Sequence, residues 1–314
     1  MNSKFFQTIL FLILLVIGVE AQEGVKFDPP SNQFITILGI AQDAGYPQIG
    51  CKKSCCKHLT KKRNSVSCLG IYDHNAEKYW LIEATPDIKE QIILSEKYSN
   101  SSDILPNGIF ITHAHMGHYT GLLQLGREAF GAKEMPVYVM PKMKSFLEEN
   151  GPWSQLVDLK NIDLHEMKNT DVVVLSDSLS VIPLLVPHRD EFSETVGFLI
   201  ASNKKTVLFI PDIDKWNKWD ESIVSWIKSV DYAFIDGTFY QNGEIWGRDM
   251  SEIPHPFIKE SMELFKDLPK EEKAKIHFIH FNHTNPVLRD SNEEWREVVR
   301  AGFRIAEEGM VIGM

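Results

Sequence analysis

From residue 34 onwards the chain alternates short apolar runs with amphipathic segments. Apolar runs of four to eight residues between turn residues predict strands, and segments with a 3.6-residue period predict helices. The predicted strands are 34–40, 66–72, 79–82, 108–112, 137–139, 172–175, 179–185, 195–201, 206–210, 232–235 and 276–281. The predicted helices are 86–98, 119–130, 143–149, 221–228, 256–265 and 292–308. Interleaved strands and helices indicate stacked sheet and helix layers, an α+β architecture.

The first residues follow a different pattern. Residues 1–21 are typical of a signal peptide, with Lys4 ahead of an apolar run that ends at the small-residue motif Val19-Glu20-Ala21. An uncleaved anchor is the alternative, but the apolar run is short for a membrane span and Gln7 interrupts it. We therefore expect cleavage near Ala21, a periplasmic or secreted protein, and no stable membrane association after cleavage.

Domain organisation and net charge limit the kinds of partner that the protein can bind. Residues 22–33 are polar and contain two prolines, which predicts a linker before a single domain at 34–314. The formal net charge is −10, and no block of basic residues offsets it. Nucleic-acid binding requires a basic face, so we expect no nucleic-acid partner and instead a small-molecule substrate. The sequence leaves the oligomeric state open.

Three histidines within six residues carry the main chemical signal. His113, His115 and His118 follow an apolar run at the predicted end of a strand. Alternate side chains of an extended segment share a face, so His113 and His115 can point the same way. Crowded neutral imidazoles suit a zinc or iron ion. The alternative is a solvent-exposed, histidine-rich loop.

Further polar residues follow other predicted strands. His188 comes after the strand at 179–185, Asp212 after the strand at 206–210, and His283 after the strand at 276–281. Loops at strand ends often gather into one site, which predicts a shared metal centre. The alternative for Asp212 is a simple turn cap. His277 and His280 lie inside the last predicted strand, which favours a packing role for at least one of them.

The spacing of these ligands resembles the metallo-β-lactamase superfamily. Four stretches further resemble the pyrroloquinoline quinone biosynthesis protein B family, and the resemblance runs from about residue 34 to residue 312. They are Ala41-Gln42-Asp43-Ala44-Gly45-Tyr46-Pro47-Gln48, His118-Tyr119-Thr120-Gly121-Leu122, Arg189-Asp190-Glu191-Phe192-Ser193-Glu194-Thr195-Val196-Gly197-Phe198 and Asn282-His283-Thr284-Asn285-Pro286.

The resemblance implies a four-layer αββα sandwich with metal ions where the strand ends meet. It implies one ion on His113, His115 and His188. It implies a second ion on His118 and His283, with Asp212 bridging the two ions. Gly117 departs from the superfamily pattern, which usually has an aspartate there. One zinc ion, or two of unequal affinity, both fit this departure.

The predicted chemistry is hydrolysis by metal-activated water. A metal with an open position lowers the pKa of bound water and supplies hydroxide, here for an ester, lactone or phosphodiester substrate. Asp212 would orient the water or bridge the ions, and His255 would act as general acid or contact the substrate. A surface role for His255 is the alternative. Asp43 could partly replace the carboxylate missing at position 117, or merely form a turn.

Two other functions stay open. Histidines with one carboxylate also suit iron(II) and oxygen, and the family resemblance implies oxidative modification of a tyrosine-derived precursor. The protein would then be a metal-dependent oxygenase or an accessory protein of pyrroloquinoline quinone biosynthesis. The third hypothesis is a metal-binding protein without catalytic activity.

Three clustered cysteines indicate a second, structural site. Cys51, Cys55 and Cys56 lie within six residues and could hold a structural zinc ion, with His58 or a distant group as fourth ligand. Disulfides are the alternative, because the predicted signal peptide leads to an oxidising compartment. Cys68 stands apart and is predicted to be a small buried residue.

Overall fold

The computed structural model describes residues 27–57, 63–289 and 292–314. The predicted signal peptide and the first part of the predicted linker lie outside these residues, so both stay predictions. Within the described residues the chain forms two seven-stranded sheets that pack face to face. No helix in these ranges is both long and apolar enough to cross a membrane.

The first sheet contains strands from the N-terminal half and the last strand of the chain. Its strands are β1 (Gln33–Gly39), β2 (Cys68–Asp73), β3 (Lys78–Ile82), β4 (Ile109–Phe110), β5 (Met135–Val139), β6 (Ile162–Glu166) and β14 (Val311–Gly313). Their order is β14-β1-β2-β3-β4-β5-β6. The β1, β2 and β3 strands pair antiparallel, whereas β3 to β6 pair in parallel.

The second sheet is built from the C-terminal half. Its strands are β7 (Val173–Ser176), β8 (Leu179–Leu185), β9 (Val196–Ser202), β10 (Thr206–Ile210), β11 (Tyr232–Asp236), β12 (Ile276–Ile279) and β13 (Arg304–Ile305). Their order is β13-β12-β11-β10-β9-β8-β7, with β10 to β13 parallel. Parallel strands place their carboxyl ends at one edge, where ligand sites form in layered folds.

Helices cover the outer faces of the sheets. They are α1 (Ile88–Ser95), α2 (Met116–Tyr119), α3 (Pro141–Glu149), α4 (Trp153–Asp158), α5 (Ile223–Ser229), α6 (Ile258–Leu264), α7 (Lys270–Lys273) and α8 (Glu293–Arg300). This is the αββα sandwich that the family resemblance implies, and the fold prediction is confirmed.

Side-chain alternation in the strands explains the layers. On β1, Ile35 and Ile37 pack between the two sheets, while Phe34 and Leu38 belong to a separate core on the outer face. Both faces of this sheet are therefore buried, as sheets covered on two sides require. Burial on both faces accounts for the nearly continuous apolar runs of the sequence.

Several predicted elements differ from the observed ones. The helix predicted at 119–130 is the short α2 followed by a 3₁₀ segment, Thr120–Leu125. The helix predicted at 292–308 ends at Arg300, because the chain turns at Gly302 with φ 98° and then forms β13. Strand β6 was not predicted, since its charged residues and mixed burial conceal the apolar pattern.

Candidate metal centre

Histidine and carboxylate side chains converge beyond the strand ends of both sheets. We call His113, His115, His118, His188, Asp212 and His280 the histidine centre. His113 and His115 lie in the loop after β4, and His118 lies in the short helix α2 that follows. His188, Asp212 and His280 follow the ends of β8, β10 and β12. His113 and His118 are almost fully buried, which excludes the solvent-exposed histidine loop considered from the sequence.

The first ligand group contains His113, His115, His188 and Asp212, and one ligand atom from each lies within 4.8 Å of the others. Nδ1 of His115 lies 2.9 Å from Nε2 of His113, so His115 turns Nδ1 towards the group. Its Nε2 atom lies 3.1 Å from the carboxylate of Glu191. His115 would therefore use Nδ1 as its ligand atom.

The second ligand group contains Asp43, His118 and His280 within the same 4.8 Å limit. Asp212 connects the two groups. Its Oδ2 atom lies 3.4 Å from Nε2 of His113 and 3.3 Å from Nε2 of His118. Its position between the groups agrees with the bridging role predicted from the sequence.

Polar groups behind the imidazoles orient three of them. Nδ1 of His113 lies 2.8 Å from Oγ1 of Thr112, and Nδ1 of His280 lies 3.0 Å from Oγ1 of Thr238. Nδ1 of His118 lies 3.0 Å from the buried carboxylate of Glu83. Such outer contacts fix ring orientation in metal sites and leave Nε2 directed inwards.

The centre contains buried polar atoms without a hydrogen-bond partner. They are Oδ1 of Asp43, Nε2 of His118, both ring nitrogens of His188, Oδ1 of Asp212 and Nε2 of His280. Buried polar groups are nearly always paired, since an unpaired one costs about 1 to 3 kcal/mol. Several such atoms aimed at one space fit a metal ion, and the donors are those that zinc and iron accept.

Protonation states agree with metal binding for most of the ligands. Burial lowers the pKa of His188 to about 4 and the pKa of His280 below its usual value. These imidazoles are neutral at pH 7, which is the form that binds metal. Burial opposes ionisation of Asp212, but His280 and the other histidines around it hold its pKa well below the usual range.

His118 differs because a carboxylate lies behind it. Burial opposes its charge, yet Glu83 outweighs burial and raises the pKa of His118 well above its usual value. Oε1 of Glu83 also accepts a hydrogen bond from Oγ1 of Thr112, at 2.6 Å. Glu83 therefore keeps a proton on Nδ1 of His118, and a metal ion at Nε2 would displace the second ring proton.

His255 lies beside the centre and is buried, so the surface role considered for it is wrong. Its Nδ1 atom lies 2.8 Å from Oδ2 of Asp236 and 3.1 Å from Oδ1 of Asp212. Burial opposes protonation, but these two carboxylates outweigh it and raise the pKa of His255 to about 10. In this arrangement a protonated His255 can hold a proton next to the bridging carboxylate.

The structure does not place His283 in the histidine centre, and this corrects the expected ligand order. His280 lies there instead, with Nε2 at 3.6 Å from Asp212. Strand β12 ends at Ile279, and His280 adopts φ 65°, a left-handed conformation that is uncommon outside glycine. The predicted strand ran through Phe281, so strand alternation could not reveal this change of direction.

His283 lies with the cysteines. Ligand atoms of Cys51, Cys55, Cys56 and His283 lie within 4.8 Å of one another, and we call these four residues the cysteine site. The sulfurs of Cys51 and Cys55 are 3.8 Å apart, close to the separation of about 3.8 Å that zinc–sulfur bonds of about 2.3 Å give in a tetrahedron. All four cysteines of the chain are free thiols. His58, the other suggested ligand, lies outside the described residues.

Three residues of the site were missed or only partly anticipated. Glu83 follows β3 and Asp236 ends β11, so the rule that polar residues after strands gather at one edge would have found both. Asp43 lies in the loop after β1, with Oδ1 at 3.4 Å from Nε2 of His118. It reaches the centre, as considered from the sequence.

A family model described as the beta-lactamase superfamily domain matches residues 79–278, more than half of the chain. The chain belongs to this superfamily. Coenzyme PQQ synthesis protein B of Klebsiella pneumoniae subsp. pneumoniae is 26% identical, over 89% of this chain and 97% of that protein. The resemblance to this family is therefore confirmed across most of the chain.

Solved structures show the same fold. Zn²⁺-bound PqqB from Methylobacterium extorquens superposes with a TM-score of 0.75 at 20% identity, covering 90% of this chain and all of that one. A diphosphatase of the PhnP family gives a TM-score of 0.62 at 20% identity, covering 89% and 96%. The fold is thus found in a diphosphatase as well as in a PQQ synthesis protein.

Proposed function

We propose that this protein is a metal-dependent enzyme of the PQQ synthesis protein B type, acting on a small-molecule substrate as an oxygenase or as an accessory protein of cofactor synthesis. The relatives that support this proposal align with the chain over nearly their whole length. This proposal replaces hydrolysis as the leading hypothesis. Zinc or iron is the proposed ion, and the residues that would hold it are those of the histidine centre.

One observation carries the metal dependence in the proposal: Asp212 lies between two groups of buried ligand atoms, several of which have no hydrogen-bond partner. When bound there, iron(II) supplies open positions for oxygen, and zinc supplies an activated water molecule. The chain contributes orientation, because Thr112, Glu83 and Thr238 fix three imidazole rings. His255 holds a proton beside Asp212.

Hydrolysis remains the second candidate, and a specific observation favours it. A carboxylate shared by two ligand groups is the arrangement of two-metal hydrolases, in which paired ions stabilise the attacking and leaving oxygens. The substrate would be an ester, a lactone or a phosphodiester. His255 is well placed to donate its proton to a leaving group.

Metal analysis followed by parallel assays separates these functions. Protein purified without added metal is analysed for zinc and iron, then loaded with each ion. The iron form is tested for oxygen uptake with tyrosine-containing peptides, and the zinc form with chromogenic esters, lactones and phosphodiesters. His188→Ala, which removes a ligand with a buried side chain, should abolish the activity, whereas His165→Ala, at an exposed histidine of β6, should not.

Each outcome decides between the hypotheses. Substrate-dependent oxygen uptake supports the leading proposal, and hydrolysis supports the second candidate. Bound metal without any turnover supports the non-catalytic hypothesis over both. A histidine centre that binds no ion would overturn all three. Export remains a separate proposal that rests on residues 1–21 alone.

A further inference from the structure

The second ligand group lacks the carboxylate that its superfamily pattern places at position 117, where this chain has glycine. The structure shows a carboxylate in that space, but it comes from another part of the chain. Oδ1 of Asp43 lies 3.4 Å from Nε2 of His118. This Oδ1 atom is buried and has no hydrogen-bond partner, and the same is true of Nε2 of His118 and Nε2 of His280.

Position 117 and Asp43 compete for the same space. A Cβ atom built on Gly117 would lie 2.3 Å from Oδ1 and 2.5 Å from Cα of Asp43. The second distance involves backbone, so side-chain rotation could not relieve the contact. Any residue other than glycine at position 117 would therefore displace the loop that carries Asp43.

The loop that carries Asp43 is held next to the ligand His280. Ala41 forms bridges to Val66 and to Phe281, the residue after His280. The amide of Gln42 donates to the carbonyl of Phe281 at 2.9 Å. Asp43 therefore follows a segment fixed to both sheets, which gives its carboxylate a defined position.

We infer that Asp43 is a ligand of a second divalent metal ion, together with His118, His280 and the shared Asp212. In this chain the carboxylate comes from the loop after β1 instead of from α2, and Gly117 is the small residue that makes room for it. This inference rests on the proposed function, because it assumes that the histidine centre binds metal. It goes further by assigning two ions rather than one.

Asp43→Asn tests the inference with little change in shape. We expect the variant to lose about one metal equivalent relative to the wild type, or to bind the second ion at least about tenfold more weakly. Metal content is measured by mass spectrometry of purified protein, and affinity by titration with cobalt(II). Thiolate-bound cobalt absorbs in the near ultraviolet, which separates the cysteine site from the histidine centre. Asp220→Asn, at an exposed aspartate, is the matched control.

Gly117→Ala provides an independent test with an opposite structural expectation. Alanine is the better helix former and should stabilise α2 if position 117 had no other role. We expect the added methyl group instead to push Asp43 away and remove the same metal equivalent as Asp43→Asn. Gly151→Ala, where the new Cβ meets no atom within 4 Å, is the control.

Circular dichroism establishes that each variant is folded before metal is counted. Loss of one equivalent in both variants, with both controls unchanged, supports the inference. If Asp43→Asn keeps the wild-type metal content and affinity, the inference is wrong and the proposed function stands. If the histidine centre of the wild-type protein holds a single ion, the inference is also wrong and the proposed function again stands. If that centre holds no ion, the proposed function fails as well.

Discussion

Substitution of Glu83 tests whether a buried carboxylate strengthens metal binding by orienting and polarising the ligand His118. Its carboxylate is fully buried and lies 3.0 Å from Nδ1 of His118. It also accepts hydrogen bonds from Oγ1 and the amide of Thr112, at 2.6 and 3.3 Å. No water can replace these contacts readily in a buried position, so the charge on Glu83 acts on His118 with little screening.

Glu83→Gln keeps the size of the side chain but removes its charge. The amide oxygen can still accept a hydrogen bond from Nδ1, so His118 keeps its orientation and loses the polarisation of its ring. The amide nitrogen would face the backbone amide of Thr112 and lose that longer hydrogen bond. Loss of such an outer contact typically weakens metal binding 10- to 100-fold, which corresponds to about 1.4 to 2.8 kcal/mol. We expect this loss for the ion bound by His118.

The contrasting variant is Glu191→Gln. Glu191 contacts His115 at a similar distance, 3.1 Å, but its side chain is 47% exposed. Solvent screens such a pair, and exposed ion pairs contribute about 0 to 1 kcal/mol. Cobalt(II) titration of metal-free protein measures both variants. Equal affinities for wild type and a folded Glu83→Gln variant would refute the reasoning, as would equal losses in the two variants.

Three further predictions concern other parts of the chain. His283→Ala should release the ion of the cysteine site, as should Cys55→Ala, and should leave the metal content of the histidine centre unchanged; metal counting detects either result. Burial opposes ionisation of Asp73, but hydrogen bonds from Ser176 and other groups hold its pKa below the usual value of 3.8. The ionised carboxylate therefore stabilises the fold above pH 3.8, and this stability is lost as the pH falls through the lowered pKa. Asp73→Asn should therefore show a smaller decrease in the free energy of unfolding between pH 5 and pH 3, measured by urea denaturation; an unchanged decrease would contradict this. N-terminal sequencing of the exported protein should show that the mature chain begins directly after Ala21, and an intact N-terminus would exclude cleavage.

The sequence predicted the layered fold because its apolar runs report burial directly. Strands such as β8 and β10 have the bounds that the pattern predicted. The pattern failed where tertiary contacts decide the structure. Strand β13 consists of two residues, Arg304–Ile305, and pairs with β12 only because the chain turns at Gly302. Two residues carry no period, so the pattern assigned them to the preceding helix.

The histidine centre was predictable to the extent that its residues follow strands in the sequence. His113, His115 and His118 could be found from their spacing, and His188 and Asp212 from the strands before them. The choice between His280 and His283 could not be made in this way. It depends on one backbone angle, φ 65° at His280, which sends this side chain to the centre.

His280 and His283 are three residues apart, and this spacing lets one short segment contribute a ligand to each of two sites. His280 follows β12 directly and contributes to the histidine centre, while His283 lies in the next turn and reaches the cysteine site. Asn282, between them, donates a side-chain hydrogen bond to the side chain of Gln42, the neighbour of Asp43. An ion in the cysteine site would hold residues 51–57 to this turn through His283. The cysteine site would therefore stabilise the two segments that position His280 and Asp43.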